Sequence, residues 1–544
     1  MPDNSNIILV GPMGAGKSAV GKLLASRLSR QFHDTDHNIV ARTGVDISYI
    51  FEKEGEEGFR KRETEVIGQL CSKSNVLIST GGGSVVKPEN RKIIAESGYV
   101  IYLHASVAQQ ARRTKKKDNR PLLRSDDPKK ILARLMQERE FLYRDVADLV
   151  IQTDGQKVPK VVESILNAME KVNTKKPDSS QTNISVSTKS RKYNATVINC
   201  EFEDDQALAK LAAEPLVVVT DENLDKVYRE KIEPLLNPAA WLVVPASESS
   251  KSFDHYQWLL NELLALGVKR DTTLVGLGGG VVGDLTGFVA ATFMRGMRLV
   301  HIPTSLLAMV DSSIGGKTGI NMPQGKNLIG SIYQPFGVLC NLRFLKTLPE
   351  REYISGLAEV VKYGLIYDID LLELLEQNCD SIRMRDLAVL SKIVQRCIAI
   401  KAEIVEKDEQ DHGLRMLLNF GHTFGHAIEA LQEYSGFKHD EAVAIGMCMA
   451  ADLSSELGHL KQSELSRVKR IISSLGLPTA WNEFNIQNFI SLTKGDKKNT
   501  SDTQRFILLK ALGEAYIDES VSNVQLKKIL SQYKEQNTTH RQSA

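Results

Sequence analysis

Short apolar runs alternate with longer amphipathic segments in the first 170 residues of the chain. The runs NIILV, NVLIST and GYVIYLH have the length and composition of buried strands, and GKSAVGKLLASRL has the period of a helix. Apolar strands that alternate with helices are typical of a parallel sheet with helices on both faces. The pattern therefore predicts an α/β domain at residues 1–170.

The second half starts in the same way and then changes. PLVVVT, AWLVVP and TLVGLGGG predict buried strands between helices. Segments after Leu348, such as ISGLAEVVKYGLIY, have helical periodicity and few strand signals. We therefore expect an α/β domain at 193–347 and a mostly helical domain at 348–535.

A polar segment separates the two halves. Residues 171–192 read KVNTKKPDSSQTNISVSTKSRK, with almost no large apolar side chain, so ordering them would bury too little surface to offset the entropy lost. We expect a flexible linker here. A similar composition predicts a loose tail at 536–544.

Composition excludes several classes of protein. Lys and Arg (69) nearly balance Asp and Glu (67), which argues against a dedicated nucleic-acid binder. No apolar run has the length of a membrane-spanning helix, so no membrane partner is expected. The six cysteines are far apart and form no CxxC pair, which is typical of reduced thiols and predicts a cytoplasmic location.

A phosphate-binding motif lies near the start of the chain. GPMGAGKS, residues 11–18, matches G-x-x-x-x-G-K-[ST] between a predicted strand and a helix, an order that disfavours a chance glycine-rich turn. Lys17 would reach the β- and γ-phosphates of ATP, and Ser18 would hold Mg²⁺. The predicted ATP-binding residues in this loop are Gly14, Ala15, Gly16, Lys17, Ser18 and Ala19.

The phosphate acceptor must be bound by other motifs. FHDTDHNI offers Asp34 and Asp36, one for the Mg²⁺ side and one to accept a hydrogen bond from a hydroxylated substrate. Arginines in three separate motifs indicate an anionic substrate and a closing lid, although each alone is more typical of a solvated surface charge. These arginines are Arg60 in GFRKRE, which also contains Glu63, Arg120 in DNRPLL, and Arg139 in ERxxxY.

Together, D-x-D, GFR, GGG, RPLL and ERxxxY after a short P-loop resemble shikimate kinase over about residues 5–170. The resemblance implies transfer of phosphate from ATP to the 3-hydroxyl of shikimate, with Asp36 as the base. Shikimate would be bound by Asp36, Arg60, Gly82 and Arg139, and ATP would be covered by Arg120 and Gln156. Another small-molecule P-loop kinase, such as a gluconate kinase, is the alternative.

The second half contains a glycine-rich strand–helix junction, TLVGLGGGVVGDLTGF. It lacks a strict G-x-G-x-x-G with an acidic residue about twenty positions on, so a tight turn is the alternative to a dinucleotide site. Asp221, Glu248 and Lys251 follow neighbouring strands, where ribose and adenine contacts are expected.

A second glycine-rich segment, DSSIGGKTGINMPQGKNLIG, has too little apolar surface to be core. Glycine-rich loops with fixed lysines suit phosphate or another anion, although a lone lysine is more typical of a solvated surface. The polar candidates in this segment are Asp311, Lys317, Lys326 and Asn327, and Arg295 in FMRG precedes them.

His422 and His426 are four residues apart in LNFGHTFGHAIEA, so both can lie on one face of a helix. Thr423 stands where HExxH has Glu, which excludes the metalloprotease pattern. Catalytic zinc usually takes three protein ligands, and Glu359 and His439 are candidates to complete the set.

These motifs, with PTSLLAMVDSSIGGKTGIN, LPEREYISGLAEVVKYGLI and HDEAVAIGM, resemble 3-dehydroquinate synthase over about residues 193–535. The resemblance implies a Rossmann-like domain followed by a helical metal-binding domain. It also implies conversion of 3-deoxy-D-arabino-heptulosonate 7-phosphate to 3-dehydroquinate and phosphate. NAD⁺ would be regenerated in each turnover, and the metal would be Zn²⁺ or another divalent ion such as Co²⁺.

The resemblance assigns further roles. The metal ligands would be Glu359, His422 and His439, which leaves His426 to contact substrate or relay a proton, with Lys317 and Lys362 as further catalytic residues. NAD would be bound by Asp221, Glu248, Lys251, Gly280, Val281, Val282, Gly283, Asp284, Thr304, Ser305, Lys317, Lys326, Phe344 and Thr347. The heptulosonate would be bound by Asp311, Lys317, Asn327, Lys362, Lys401, Arg415, Asn419 and Lys497.

In this family Arg295 is expected to reach in from a partner subunit, which implies a homodimer and a catalytic role for that arginine. One departure is that Asp440 stands after the third ligand, where the family usually has Gly. We therefore expect a bifunctional enzyme of aromatic biosynthesis. The alternatives are a metal-dependent polyol or alcohol dehydrogenase in the second half, or one inactive, regulatory half.

Overall fold

The computed structural model describes residues 5–114, 127–172, 181–411, 413–432, 436–494 and 504–535. The chain forms two compact units that divide after Pro177. Among the described residues, none of the helices is both long enough and apolar enough to span a bilayer. Two predicted site residues, Arg120 and Lys497, and the predicted tail at 536–544 lie outside the described residues.

The first unit is the predicted α/β domain. Its five strands are all parallel, in the order β2-β3-β1-β4-β5. The strands are β1 (Asn6–Val10), β2 (Gln31–Asp34), β3 (Val76–Ser79), β4 (Gly98–His104) and β5 (Leu149–Gln152). The helices are α1 (Lys17–Arg27), α2 (Thr35–Thr43), α3 (Ile47–Cys71), α4 (Pro88–Ser97), α5 (Val107–Thr114), α6 (Pro128–Val146) and α7 (Val158–Val172).

Strand β1 shows why this sheet needs helices on both faces. All five of its residues are buried, and alternate side chains enter different apolar clusters. Ile8 and Val10 pack on one face, and Ile7 and Leu9 pack on the other. A central strand that is apolar on both sides is stable only when both sides are covered, which confirms the predicted fold class for this unit.

Both ends of the predicted linker form secondary structure, since α7 includes 171–172 and β6 begins at Gln181, while residues 173–180 lie outside the described residues. Residues Gln181–Ser187 form strand β6, which pairs antiparallel with β7 (Lys192–Ile198), so the prediction of a flexible linker is wrong for 181–192. An edge strand needs apolar side chains on only one face. Val186 is buried and Ile184 packs against the core, whereas Gln181, Asn183 and Ser185 point to solvent.

The second unit is built on a seven-stranded sheet in the order β6-β7-β14-β11-β10-β8-β9, parallel except for β6. Its other strands are β8 (Leu216–Asp221), β9 (Ala240–Val244), β10 (Thr273–Gly278), β11 (Arg298–Pro303) and β14 (Gly337–Asn341). A separate hairpin consists of β12 (Lys317–Met322) and β13 (Gly325–Ile332). The helices of this part are α8 (Gln206–Leu211), α9 (Glu222–Leu236), α10 (Phe253–Ala265), α11 (Gly280–Thr292) and α12 (Phe344–Thr347).

The rest of the second unit is mostly helical, as predicted. Its helices are α13 (Glu350–Ile366), α14 (Ile369–Gln377), α15 (Cys379–Arg383), α16 (Leu387–Lys407), α17 (His422–Leu431), α18 (His439–Glu456), α19 (Gln462–Ser474), α20 (Ile486–Lys494) and α21 (Asn523–Glu535). A last hairpin pairs β15 (Phe506–Ala511) with β16 (Glu514–Asp518). One apolar cluster runs from Val186 in β6 to Tyr533 in α21, so the α/β and helical parts share a core.

Candidate functional site

The P-loop of the first unit has the backbone that phosphate binding requires. Gly11, Gly14 and Gly16 have φ angles of 142°, 81° and 95°, which favour glycine. Lys17 begins α1 and is buried, and its ammonium donates to the carbonyls of Gly11 (2.6 Å) and Pro12 (3.0 Å). The lysine side chain is thus held against the P-loop, and the amino end of α1 points towards the same loop.

The two aspartates after β2 occupy different positions. The hydroxyl of Ser18 donates to Asp34 Oδ2 at 2.6 Å, and Asp34 also caps α2 by accepting from the amide of His37. Asp34 is therefore the carboxylate on the predicted Mg²⁺ side. Asp36 instead lies beside Gly81. A Cβ placed on Gly81 would lie 2.7 Å from Asp36 Oδ1 and 2.8 Å from Glu63 Oε1.

The residues predicted to bind shikimate come together around the GGG segment after β3. Arg60 is buried and pairs with Glu63 at 2.7 Å, and Arg139 donates to the carbonyl of Gly82 at 3.4 Å. Tyr143 also donates to Gly82. Asp36 and Arg139 are both electrostatic neighbours of Glu63. The result is a small polar site with two arginines and two carboxylates.

Glu63 and Tyr143 were not among the predicted binding residues. Burial raises the pKa of Glu63 against the opposing effect of Arg60, and its Oε1 is buried without a hydrogen-bond partner. Burial raises the pKa of Tyr143 to about 12. Their spacing gave a signal, since Glu63 is three residues after Arg60 and Tyr143 is four after Arg139, so each pair shares a helix face.

Of the two residues predicted to cover ATP, Gln156 is among the described residues and Arg120 is not. Gln156 follows β5, and its Oε1 is buried without a hydrogen-bond partner. Arg113, which the sequence did not single out, donates to the P-loop carbonyls of Gly14 and Ala15 at 3.1 Å each and to the Thr153 carbonyl at 2.9 Å. Arg113 therefore links the P-loop to the segment that carries Gln156.

In the second unit the glycine-rich junction lies at the carboxyl end of β10, inside the sheet. Gly279 is the N-cap of α11, and a Cβ on Gly279 or Gly280 would lie 3.5 Å from Ser305 Oγ or 3.2 Å from Ser312 Oγ. The loop after β11, with Thr304 and Ser305, thus flanks a helix amino end. Such a crevice at the carboxyl ends of parallel strands is where nucleotides bind in α/β folds.

Several of the predicted NAD-binding side chains converge beside this loop. Lys251 is buried and donates to Asp284 Oδ2 at 2.7 Å and to Asn327 Oδ1 at 2.5 Å. Glu248 accepts from the Asn321 amide at 2.8 Å, which joins the same network to the β12–β13 hairpin. Burial raises the pKa of Asp284, and Lys251 opposes that effect.

Three further residues that were predicted to bind NAD make other contacts. Asp221 caps α9 by accepting from the amides of Asn223 and Leu224. Phe344 is 1% exposed and packs against the rings of Phe202 and Tyr228, and the hydroxyl of Thr347 is hydrogen-bonded to that of Tyr228. Phe344 and Thr347 therefore expose little side-chain surface, and their assignment to the nucleotide site stays a prediction.

A cluster of buried cations lies between the α/β and helical parts. Lys401 pairs with Asp311 Oδ1, which also accepts from the Tyr363 hydroxyl at 2.8 Å. Burial opposes ionisation of Asp311, but Lys401 and Lys362 hold the pKa of that carboxyl well below its usual range. Burial lowers the pKa of Lys401, and Asp311 counteracts this. Lys362, in turn, pairs with Glu359.

Arg415 and Lys317 complete the cationic side. Arg415 is 2% exposed, and its guanidinium donates to the carbonyls of Glu409 (2.9 Å) and Gly315 (3.2 Å). Lys317 Nζ lies 2.6 Å from Asp411 Oδ2. Asp411 is a residue that the sequence reading missed, because nothing in its spacing indicates a partner 94 positions away.

Asn419 is the remaining described residue that was predicted to contact the heptulosonate. Its amide donates to the carbonyl of Met416 at 2.9 Å, within a 3₁₀ turn that leads into α17.

Three histidines meet where α17 packs against α18. Gly425 and Gly446 lie at this crossing, where an added Cβ would approach the facing backbone to 3.1 Å or less. The ring centroids of His422 and His439 are 5.3 Å apart, and each is 5.6 Å from that of His426. Glycine at the crossing therefore lets histidines of two helices share one site.

The tightest ligand group differs from the predicted one. Within the described parts of the chain, the potential ligand atoms that all lie within 4.8 Å of one another belong to His426, Glu429 and His439. The predicted set contained Glu359 and His422 instead. Glu359 is nevertheless an electrostatic neighbour of His439. The ring of His422 is also closer to the ring of His439 (5.3 Å) than the ring of His426 is (5.6 Å).

Glu429 is the main residue of this site that the sequence reading missed. Its Oε2 lies 2.8 Å from His439 Nδ1, and burial is outweighed by this hydrogen bond, so the pKa of Glu429 is lowered. The pKa of His439 is raised, since Glu429 and the neighbouring carboxylates outweigh burial. The spacing His426–Glu429 at i,i+3 was the available signal.

Asp440 is buried beside His439. Its Oδ2 accepts from the hydroxyl of Ser355 at 3.1 Å, and its Oδ1 has no hydrogen-bond partner. Burial raises the pKa of Asp440 to about 7, with Glu359 adding to the effect and His439 opposing it. The carboxylate is thus part of the charge distribution around the histidines.

Profiles of known families match most of the chain. Residues 13–170 match shikimate kinase. Residues 241–355 match the N-terminal region of 3-dehydroquinate synthase, and residues 356–499 match its C-terminal region.

Individual proteins show the same division. The 3-dehydroquinate synthase of Acidithiobacillus ferrooxidans is 45% identical over 329 residues, which are 60% of this chain and 90% of that protein. A 2-epi-5-epi-valiolone synthase from Streptomyces hygroscopicus, solved with NAD⁺ and Zn²⁺, is similar with a TM-score of 0.60 at 27% identity, over 64% of this chain and 99% of that chain. A shikimate kinase from Acinetobacter baumannii, solved with shikimate, is 43% identical over 31% of this chain and 96% of that chain, with a TM-score of 0.31.

Proposed function

This chain belongs to the 3-dehydroquinate synthase family and carries a shikimate kinase domain ahead of it, and we propose that it catalyses both reactions. The first unit phosphorylates the 3-hydroxyl of shikimate with ATP. The second converts 3-deoxy-D-arabino-heptulosonate 7-phosphate to 3-dehydroquinate and phosphate. For the second activity the decisive observation is that buried cations, three histidine rings and a glycine-rich helix start belong to one unit.

In the kinase unit, Lys17 and the P-loop amides bind the ATP phosphates, and Ser18 with Asp34 holds Mg²⁺. Asp36 accepts the proton of the attacking hydroxyl, since it stands at the wall of the polar site beside Gly81. Arg60 and Arg139 bind the shikimate carboxylate. Glu63 fixes Arg60 by their 2.7 Å ion pair.

The synthase unit fits a divalent metal. Imidazole rings from two helices, with buried carboxylates behind them, form a donor set typical of Zn²⁺ or Co²⁺. We propose that Glu359, His422 and His439 hold the ion. Glu429 then orients His439, because it already occupies Nδ1 of that ring at 2.8 Å and leaves Nε2 for the metal. When bound, the metal polarises a substrate hydroxyl as a Lewis acid.

The crevice at the start of α11 fits NAD⁺, which takes up and returns one hydride when bound. A Cβ on Gly280 would lie 3.2 Å from Ser312 Oγ, so glycine at this position keeps space beside the first turn of α11. Glu248, Lys251, Asp284 and the neighbouring hairpin residues then bind the nucleotide. His426 is left to hold or move a proton beside the metal histidines.

The anionic groups of the heptulosonate are bound by three buried cations and one exposed lysine. Lys362, Lys401 and Arg415 are electrostatic neighbours, and together with the exposed Lys317 they neutralise the phosphate and the carboxylate. A plain polyol has no charge that requires these residues. This charge pattern favours the phosphorylated acid over a polyol or alcohol as substrate.

We also propose a homodimer in which Arg295 enters the partner's active site. Arg295 is exposed, and it and Met294 have positive φ angles of 63° and 48°, so the loop is held in an unfavourable conformation. Leu328 and Ile329 on β13 are also exposed. For Arg295→Ala, sedimentation velocity should show that the dimer is retained, and an assay of phosphate release should show that synthase activity is reduced.

The six unpaired cysteines support a reducing compartment, the cytoplasm.

Paired assays test the two activities. ATP-dependent phosphorylation of shikimate should appear in the intact chain. Phosphate release from the heptulosonate should also appear, without net NADH, and should stop after chelation and return with Zn²⁺ or Co²⁺. NADH that accumulates in proportion to substrate would favour the dehydrogenase instead, and absence of either activity would identify an inactive half.

A further inference from the structure

Arg415 is a buried cation with an unusual environment. Its guanidinium donates to two backbone carbonyls, those of Glu409 and Gly315, and its Nε has no hydrogen-bond partner. Among the described residues no carboxylate forms an ion pair with it. Burying a guanidinium without a counter-ion is costly, so its position must be fixed by the groups that hold those carbonyls.

The side chain of Glu409 is held by the turn between β6 and β7. Glu409 Oε1 accepts from the hydroxyl of Ser190 at 2.5 Å, and Oε2 accepts from the amide of Lys189 at 3.1 Å. A third donor is the Gln334 amide, at 3.0 Å. These bonds lower the pKa of Glu409 although burial alone would raise it. The carboxylate therefore anchors the residue whose carbonyl orients Arg415.

The same hairpin contacts Gly315, the residue whose carbonyl is the second acceptor of Arg415. The amide of Gly315 donates to the hydroxyl of Tyr193 in β7 at 3.3 Å. A Cβ on Gly315 would lie 2.6 Å from Arg415 Nη2, so the guanidinium packs directly on this loop. Lys317 follows two residues later. The hairpin thus touches both anchors of Arg415.

We propose that the β6–β7 hairpin positions Arg415 and the Gly315–Lys317 loop for the phosphorylated acid, with Ser190, Tyr193 and Glu409 as positioning residues. The proposal rests on the proposed synthase function. It gives a role to the strands that directly follow the kinase unit, and these strands precede the matched synthase region at 241–355. If Arg415 binds the substrate anion in both the ground state and the transition state, its misplacement raises KM and leaves kcat nearly unchanged.

Ser190→Ala and Glu409→Gln in the full chain test this role. Each loses one or more hydrogen bonds of about 1 kcal/mol, so the KM for the heptulosonate phosphate should rise about five- to tenfold while kcat changes less than about twofold. The double variant should be less than additive, since both residues act through one contact. NAD⁺ affinity and the rate of shikimate phosphorylation should equal those of the parent.

Ser185→Ala is the matched control, because Ser185 is exposed on the same β6 strand. Its KM should equal the parental KM. Tyr193→Phe removes only the hydroxyl beside Gly315 and should shift KM in the same direction as Ser190→Ala. Because Ser190 is exposed in a turn, its variant keeps the test valid even if Glu409→Gln fails to fold.

Two results would overturn the proposal. Parental KM values in Ser190→Ala and Glu409→Gln would show that the hairpin does not position the anion site. A parallel loss of kcat, NAD⁺ affinity and thermal stability would show that the hairpin only maintains the fold. A parent chain that releases no phosphate at all would instead refute the synthase function, and with it the basis of this role.

Discussion

Glu429 Oε2 lies 2.8 Å from Nδ1 of His439, the first residue of α18. The other oxygen of Glu429 lies 3.5 Å from Lys326 Nζ on the β12–β13 hairpin. One buried carboxylate therefore connects a histidine of the proposed metal site with a lysine that we predict to bind the nucleotide. A carboxylate on the distal nitrogen fixes both the tautomer and the orientation of an imidazole ligand.

Glu429→Gln should weaken metal binding. Loss of the charged acceptor frees the His439 ring and lowers its basicity, so the metal dissociation constant should rise about 10- to 100-fold. Competition between the protein and a chromophoric chelator for Zn²⁺ or Co²⁺ measures this directly. Glu456→Gln is the control, because Glu456 is the exposed last residue of α18, the helix that begins with His439. This variant should bind metal as the parent does. Parental affinity in Glu429→Gln would mean that Glu429 does not orient a ligand.

Asp440→Asn should also lower metal affinity, but through charge alone. Above pH 7, where this carboxyl with a pKa of about 7 is ionised, Asn keeps the volume and an oxygen that can accept from Ser355, whereas the negative charge next to His439 is lost. A Coulomb effect of about 1–2 kcal/mol corresponds to a roughly tenfold weaker complex. The Co²⁺ absorption spectrum should keep its shape, because the ligands are the same. A changed spectrum would instead identify Asp440 as a direct ligand.

Much of this architecture follows from the sequence because its signals are local. The P-loop, the buried strands and the His422–His426 pair depend on residues within one or two turns of each other. The mistaken linker arose because β6 is an edge strand, in which Ser and Asn on the solvent face hide the apolar alternation of Ile184 and Val186.

Long-range partners could not be predicted from spacing. Lys317 and Asp411 are 94 positions apart, and Glu409 meets Ser190 across 219 positions. Such pairs depend on how the sheet and the helices fold against each other. The enclosure of the Phe344 ring by Phe202 and Tyr228 could not be predicted either, since it depends on how the core packs.

The stability of the synthase unit should fall in mild acid because of His301. Burial lowers the pKa of this imidazole from 6.5 to about 4, so the unfolded chain binds more protons between those values. Stability is therefore fully present above pH 6.5 and is lost as the pH falls towards 4. From pH 7 to pH 5 the free energy of unfolding should fall by about 2 kcal/mol through this group.

Urea unfolding followed by tryptophan fluorescence tests this, because Trp241, Trp258 and Trp481 are the only tryptophans and all belong to the second unit. His301→Gln should flatten the dependence of stability on pH between 5 and 7. His255→Gln, on the half-buried face of α10, should leave it unchanged. An unaltered pH dependence in His301→Gln would assign the effect to other groups.

Lys17→Met should greatly slow shikimate phosphorylation and leave the synthase activity unchanged. The lysine ammonium is held at the P-loop carbonyls of the first unit, so loss of its charge should slow shikimate phosphorylation by about 10²–10³-fold. Phosphate release from the heptulosonate should continue at the parental rate. Lys22→Met, exposed on the same α1 helix, is the control for helix stability. Loss of both activities would show that the two sites depend on each other.

Both activities should be retained when the two units are separated, provided that β6 stays with the second unit. Each unit has its own sheet and core, so chains of residues 1–172 and 181–544 should together retain both parental rates. A second unit that starts at 193 lacks β6 and the β6–β7 turn, including Ser190. It should lose stability as well as affinity for the heptulosonate phosphate, because Val186 leaves the core and Glu409 loses its anchors. Equal kinetics for the units starting at 181 and 193 would contradict this, and loss of rate on the first cut would reveal coupling between the two sites.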